Sequence, residues 1–344
     1  MTAAFAVAAR AGTVALLLAP LAACSSTGPA AAGPGRTSMP PSGSASSSAP
    51  NVPAVTRVHA RAVAQLPVGV SRTVALRRGS RLVVLGGLAP GDVTTSRILA
   101  FDLATRRTTT VGSLHEAVHD ASGALLNGRA IVFGGGAAQE VSDVQAWSAG
   151  TSQVVGSLPT GRSDSASAVV NGTAYVVGGF DGSGLTRDIL ATRDGQSFRV
   201  VGRLPLGVRY PAVAAAGGFV WVIGGQLATT VSTSAGAQTD DIQRFDPRTG
   251  RTSVVAHLPN SLGHAMAFSL AGQLFVAGGR HLTTASARIW RIDARTGRAS
   301  GAGRLPFAYS DAATVVVGAT VMLIGGETSG PLAPIRTIVQ LTLR

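Results

Sequence analysis

Six residues able to do chemistry recur at one offset. Counting six positions on from Leu66, Leu114, Leu158, Leu204, Leu258 and Leu305 gives Arg72, Asp120, Asp164, Tyr210, His264 and Asp311. Equal offsets in equivalent segments mean equal direction, so these six side chains are expected to form one ring. Carboxylates beside an imidazole suit acid–base chemistry, and three Asp plus a His suit a divalent cation, but neither arrangement has a sequence-local signature here. Convergent polar groups at a concave mouth define a ligand site in the first instance. The neighbouring residues are mostly Ala, Ser and Val. Alternation along such strands leaves open whether the six face a central channel or the seams beside it.

Composition removes several other chemistries. The chain has 344 residues and a formal charge of +13, and every cation apart from His is Arg. Without Lys there is no Schiff base, no phosphate-loop lysine and no lysine base. Neither a Gly-x-Ser-x-Gly elbow nor a Ser-x-Asp-x-Gly-x-x-Trp box occurs. Basic runs interleaved with aromatics are absent, so nucleic acid is not an expected partner. No cofactor or metal is expected either. Hydrophobic residues at 45% and charged residues at 13% describe a chain with a large core.

The elements that must position the six follow from a repeat. An apolar run ending in Gly-Gly occurs at Gly86, Gly134, Gly178, Gly224, Gly278 and Gly325, each first glycine 20 residues after one of the six Leu. The spacings are 48, 44, 46, 54 and 47 residues. In the third repeat, Ser165 to Val170 reads as a strand, Asn171-Gly172 as a two-residue turn and Thr173 to Val177 as a second strand. A third strand near Asp188 to Thr192, the turn Arg193-Asp194-Gly195 and a fourth strand from Ser197 to Gly202 complete the unit. Four antiparallel strands repeated about every 48 residues predict an all-β, six-bladed β-propeller over 54–344. The last repeat ends after its third strand, Arg336 to Leu343, while Thr56 to Gln65 lacks partners upstream. The N-terminal strand is therefore expected to complete the last blade and remove the open edge.

The double-glycine strands resemble the Kelch repeat family, and the resemblance covers nearly all of 54–344. Phe101-Asp102 and Phe245-Asp246 keep an aromatic-Asp pair, Ile292-Asp293 loses the aromatic, and the Trp before the Leu-Pro element is missing. The resemblance implies a propeller. Galactose oxidase, whose catalytic domain resembles Kelch propellers, needs a Cys-crosslinked Tyr, and this body has Tyr175, Tyr210 and Tyr309 but no Cys. A bacterial Kelch sialic-acid mutarotase is similar in blade number and extracytoplasmic address, without motif-level correspondence of its active residues.

The N-terminus reads as an address. Residues 1–23 combine Arg10 with a short apolar run and end in Leu21-Ala22-Ala23-Cys24, which resembles a bacterial lipobox with Cys24 as the lipidated residue. Residues 24–53 are Ser, Ala, Pro and Gly-rich and predict a flexible stalk. The expectation is a lipid-anchored protein on the extracytoplasmic side of the cell membrane.

Strand direction assigns faces. Loops before each first strand and between second and third strands share a top; the other turns share a bottom. Arg77, Arg78, Arg81, Arg106, Arg107, Arg129, Arg248, Arg251, Arg295 and Arg298 fall at the bottom, where an anionic membrane surface is a candidate contact. Most carboxylates and the long segment from Gln226 to Asp240 fall on top. The expected function is binding of a protein or glycan partner at a solvated top mouth; the alternative is a sugar-modifying isomerase or lyase using the mouth carboxylates and His264.

Overall fold

A computed structural model describes residues 57–230, 237–328 and 333–344. Cys24, the lipobox and the stalk lie outside the described residues, as do 231–236 of the long top segment. The body from Ala54 to Arg344 is a compact unit, and all its regular elements longer than a turn are strands.

The third repeat shows how the sequence makes them. Ala166–Val170, Thr173–Val177, Asp188–Thr192 and Arg199–Arg203 pair antiparallel in chain order. Asn171 and Gly172 have φ of 48° and 73°, the two left-handed positions that a tight hairpin turn requires. Thr173–Val177 is buried along its whole length because both faces of its sheet are covered by neighbouring sheets. The fourth strand begins two residues later than the sequence predicts. Asp194 Oδ1 accepts from the backbone N–H groups of Gln196 (2.8 Å) and Ser197 (3.0 Å), which keeps both in the turn.

Three further four-stranded sheets follow the same order, and an eight-stranded sheet holds most of the remainder. In that larger sheet Val58–Gln65 pairs antiparallel with Thr337–Leu343, and one parallel pairing, Val58 with Gly303, joins it to the preceding four strands. The second repeat departs from expectation. Its second strand, Arg129–Gly136, runs through Gly134-Gly135 instead of ending before it, because Val141 and Glu140 pair directly with Gly135 and Gly136 across a short loop.

The core lies between successive four-stranded units. Each apolar cluster draws on two neighbours, as when Leu126, Ile131 and Phe133 meet Ala174, Val176 and Leu190. All six repeat Leu are buried, at 0 to 4% exposure, and each fully buried Leu contributes about 1.5–3 kcal/mol. The first strands Val74–Arg78, Ser122–Leu126, Ala166–Val170, Ala212–Ala216, Met266–Leu270 and Ala313–Val317 contact one another in sequence, and the last contacts the first. They enclose an axial cavity of about 390 Å³.

The double glycines tie neighbouring repeats together. Gly326 donates its N–H to Val70 O at 2.9 Å, and a Cβ on Gly325 would collide with that same carbonyl. Only glycine, at φ 64°, permits this approach. The corresponding bond recurs from Gly87 to Val118, Gly135 to Arg162, Gly179 to Val208, Gly225 to Leu262 and Gly279 to Tyr309.

Candidate functional site

Backbone chemistry places the six expected residues in a ring. Asp120 N–H donates to Arg72 O (2.9 Å), Asp164 to Asp120 (2.8 Å), Tyr210 to Asp164 (2.9 Å), His264 to Tyr210 (3.1 Å), Asp311 to His264 (3.0 Å) and Arg72 to Asp311 (3.1 Å). The cycle closes on itself. Each of the six has φ between 52° and 59°, a left-handed conformation uncommon outside glycine and sustained here by the surrounding bonds.

The side chains converge over the axis rather than into the seams. Arg72 Nη1 lies 3.3 Å from both Asp120 Oδ2 and Tyr210 Oη, and Tyr210 stacks on the His264 ring at a centroid distance of 3.9 Å. His264 Nδ1 is 2.6 Å from Asp311 Oδ1, and the Gln226 amide nitrogen is 2.9 Å from His264 Nε2. With that amide donating, Nε2 accepts and Nδ1 carries the proton held by Asp311. Asp164 makes an ion pair with Arg209, Oδ2 to Nη2 at 2.5 Å, oriented outside hydrogen-bond geometry.

The mouth is filled, which corrects the expectation of a solvated funnel. The side chains of Asp120, Asp164, His264 and Asp311 are only 2 to 6% exposed. Three residues beyond the ring do much of the filling. Glu327, wholly buried, accepts from Ser71 Oγ and Arg72 Nε at 2.8 Å each, and Arg280 contacts its other oxygen. Arg280 also reaches Asp311 Oδ2 at 3.2 Å, and Arg209 lies over the Tyr210 ring. A positional signal for these residues exists in the sequence. Ring-preceding residues pair with the residue after each Gly-Gly, as Arg209 with Gln226, Gly263 with Arg280 and Ser310 with Glu327.

Three guanidinium groups thus face four carboxylates in a desolvated space, and their proton affinities diverge. Burial pushes Asp120 well above the usual carboxylate range; Arg72 opposes this, while Asp164 and Asp311 reinforce it. Burial works the same way on Asp311, but His264, Arg72 and Arg280 outweigh it and hold that carboxyl low. Arg72 stays cationic: burial disfavours its charge, and Asp120, Asp311, Tyr210 and Glu327 more than compensate. Burial also raises the Tyr210 phenol and lowers His119, whose Nε2 is 3.8 Å from Asp120. The arrangement holds protonation states apart and fixes each polar head.

The bottom carries the opposite design. Asp102, Asp194, Asp246 and Asp293 are consumed by turn amides, as where Asp293 Oδ1 accepts from Arg295 N–H (2.9 Å) and Thr296 N–H (2.8 Å). These amide hydrogen bonds hold Asp102, Asp194 and Asp293 below the usual carboxylate range, and the Arg248 side chain, with its backbone N–H, does the same for Asp246. Of the ten bottom arginines, Arg78 and Arg129 are half-buried and the other eight are exposed.

The cyclic sheet order, with an axial cavity and a polar ring at one mouth, defines a β-propeller-like, all-β protein. Among solved structures the chain is similar to that described as the structure of YjhT, with a TM-score of 0.69 and 17% identity over 81% of this chain and 99% of that chain. The likeness is one of fold. No protein-family model matches, and no curated protein matches.

Proposed function

We propose that the chain is a six-bladed, Kelch-type propeller whose last blade is completed by Val58–Gln65, and that it binds a protein or glycan partner through its top face. Anchoring through Cys24 on the extracytoplasmic side of the membrane belongs to the same reading. The observation that carries the binding role is the axial network itself. Its ionised groups are engaged with one another and held on a closed ring of backbone bonds, which suits a rigid polar platform better than a proton-exchanging catalytic pair. The bottom arginines support an orientation toward an anionic leaflet, each near-surface Arg contributing about 1 kcal/mol.

Asp120 keeps a second reading in view. A carboxyl whose proton affinity burial raises, beside Tyr210 and Arg72, is suited to act as a general acid in a sugar-modifying reaction.

The purified chain, applied to glycan arrays and to captured partner proteins, tests the binding role. Binding that is lost on Tyr210→Phe and Gln226→Ala, with melting behaviour retained, supports the axial platform. Binding lost on Arg106→Ser with Arg107→Ser instead places recognition on the bottom and overturns it. Cys24→Ala should release the protein from the membrane fraction; unchanged fractionation refutes lipidation.

A further inference from the structure

One register position in each repeat pairs the residue before the repeat Leu with a residue near the start of the third strand. The pairs are Arg97 with Ser113, Asp143 with Ser157, Asp188 with Arg203, Asp241 with His257, Arg288 with Arg304, and Thr337 with Gln65. Two are complementary and in contact: Arg203 Nε lies 2.9 Å from Asp188, and His257 Nδ1 lies 3.0 Å from Asp241. One is a like-charge pair. Two cations directly opposite across strands repel, and neither Arg288 nor Arg304 has a carboxylate within ion-pair distance among the described residues.

These two arginines line a cavity of about 510 Å³ with Trp290, Asn260, Ser261 and His281, and no acidic side chain lines it. Trp290 is half-buried. It lies across from Gly301, which has no side chain to cover it and open space where a Cβ would be. The Arg288 guanidinium lies over the Trp290 ring, 5.6 Å from its centroid, and the ring packs against a neighbouring apolar cluster, so only part of it is open. Two unpaired guanidinium groups and the open part of an aromatic ring therefore line one cavity, with amide, hydroxyl and imidazole groups beside them for hydroxyls.

We propose that this off-axis top pocket binds a uronic-acid-type sugar, its carboxylate between Arg288 and Arg304 and its ring against the part of Trp290 that Arg288 leaves open. The missing counter-charge is what the ligand supplies; Arg forks match carboxylates in paired geometry. The site is separate from the axial ring and does not depend on it.

Tryptophan fluorescence reads the site directly. The other two of the three Trp residues, Trp147 and Trp221, are buried at 6% and 0% exposure. Titrating the purified chain with D-glucuronate should give a saturable change, with D-glucose at least tenfold weaker and acetate leaving Trp290 unchanged. Arg288→Asp rebuilds the complementary pair of the sister repeats, so it should raise Tm and abolish the response; Arg304→Gln should weaken it about tenfold. Tyr210→Phe should leave it intact, which separates this site from the axial platform. Equal responses to glucuronate and glucose, an acetate response equal to that of glucuronate, or a lowered Tm in Arg288→Asp would each overturn the proposal.

Discussion

Arg72 and Tyr210 occupy opposite positions of a six-residue ring, yet the Arg72 guanidinium lies 3.3 Å from the Tyr210 hydroxyl. A side chain that crosses the axis closes the mouth. The same guanidinium meets Glu327, Asp120 and, at 4.0 Å, Asp311. One cation thus links the first, second, fourth and sixth repeats, and the network becomes part of what holds the ring together.

Glu327 tests that role most directly because its carboxylate has no access to solvent. Replacing it with Ala leaves the Arg72 and Arg280 guanidinium groups short of a buried counter-charge and Ser71 without an acceptor. Loss of one partner of a buried ion pair costs about 3–5 kcal/mol. Urea denaturation of Glu327→Ala should show a loss in that range, and a loss under about 1 kcal/mol would mean that water reaches the cluster freely.

Asp120 and Asp311 should respond oppositely to neutralisation. The Asp120 pKa is raised in the folded state, so its stabilising contribution exists below the unfolded value of 3.8 and disappears as pH rises through the folded value. The Asp311 pKa is lowered, so its contribution exists above 3.8 and disappears as pH falls through the folded value. Asp120→Asn should therefore raise Tm at pH 7, the gain shrinking toward pH 3; Asp311→Asn should lower Tm at pH 7. Thermal melts across that window decide it, and a lower Tm for Asp120→Asn at pH 7 would contradict the raised proton affinity.

The strand Val58–Gln65 carries the next expectation. Seven of its residues pair with Thr337–Leu343, and Val58 is buried, as is Leu66 just beyond it. A chain beginning at residue 67 should aggregate or lose cooperative unfolding, since its last sheet then ends in an open edge. A chain beginning at residue 54 should melt like the full protein. Matching melts for the two truncations would show that this pairing contributes nothing to the ring.

The repeat was legible because local chemistry wrote it: six Leu at one depth, Gly where a carbonyl abuts, Asn-Gly where both φ are positive. The ring at Arg72 through Asp311 was legible as an offset. Its filling was legible only as the position after each Gly-Gly, which carries a charge in just two repeats, at Arg280 and Glu327, and these reach the axis through pairing with Gly263 and Ser310. Nor does an offset count reveal that Arg72 spans the ring. The Arg288–Arg304 repulsion likewise depends on cross-strand register, which loops of unequal length hide.

Two glycines separate the energetic origins of the repeat signature. Gly172 has φ of 73°, and a Cβ added there would meet nothing within 4 Å, so Gly172→Ala should cost only the left-handed penalty, about 1–2 kcal/mol. Gly325 has φ of 64°, and its added Cβ would run into the Val70 carbonyl oxygen, with the carbonyl carbon at 3.1 Å and Val70 Cγ1 at 3.2 Å. That contact cannot be relieved by rotating a side chain, because the main obstacle is backbone, and moving Val70 breaks the bond from Gly326 N–H at 2.9 Å. Gly325→Ala should therefore cost several-fold more than Gly172→Ala, at least about 4 kcal/mol, and abolish the folded state in a chain of ordinary stability. Chemical denaturation of the two variants measures the difference. Equal losses would show that the double glycine serves only conformation, and that the close approach between repeats can relax.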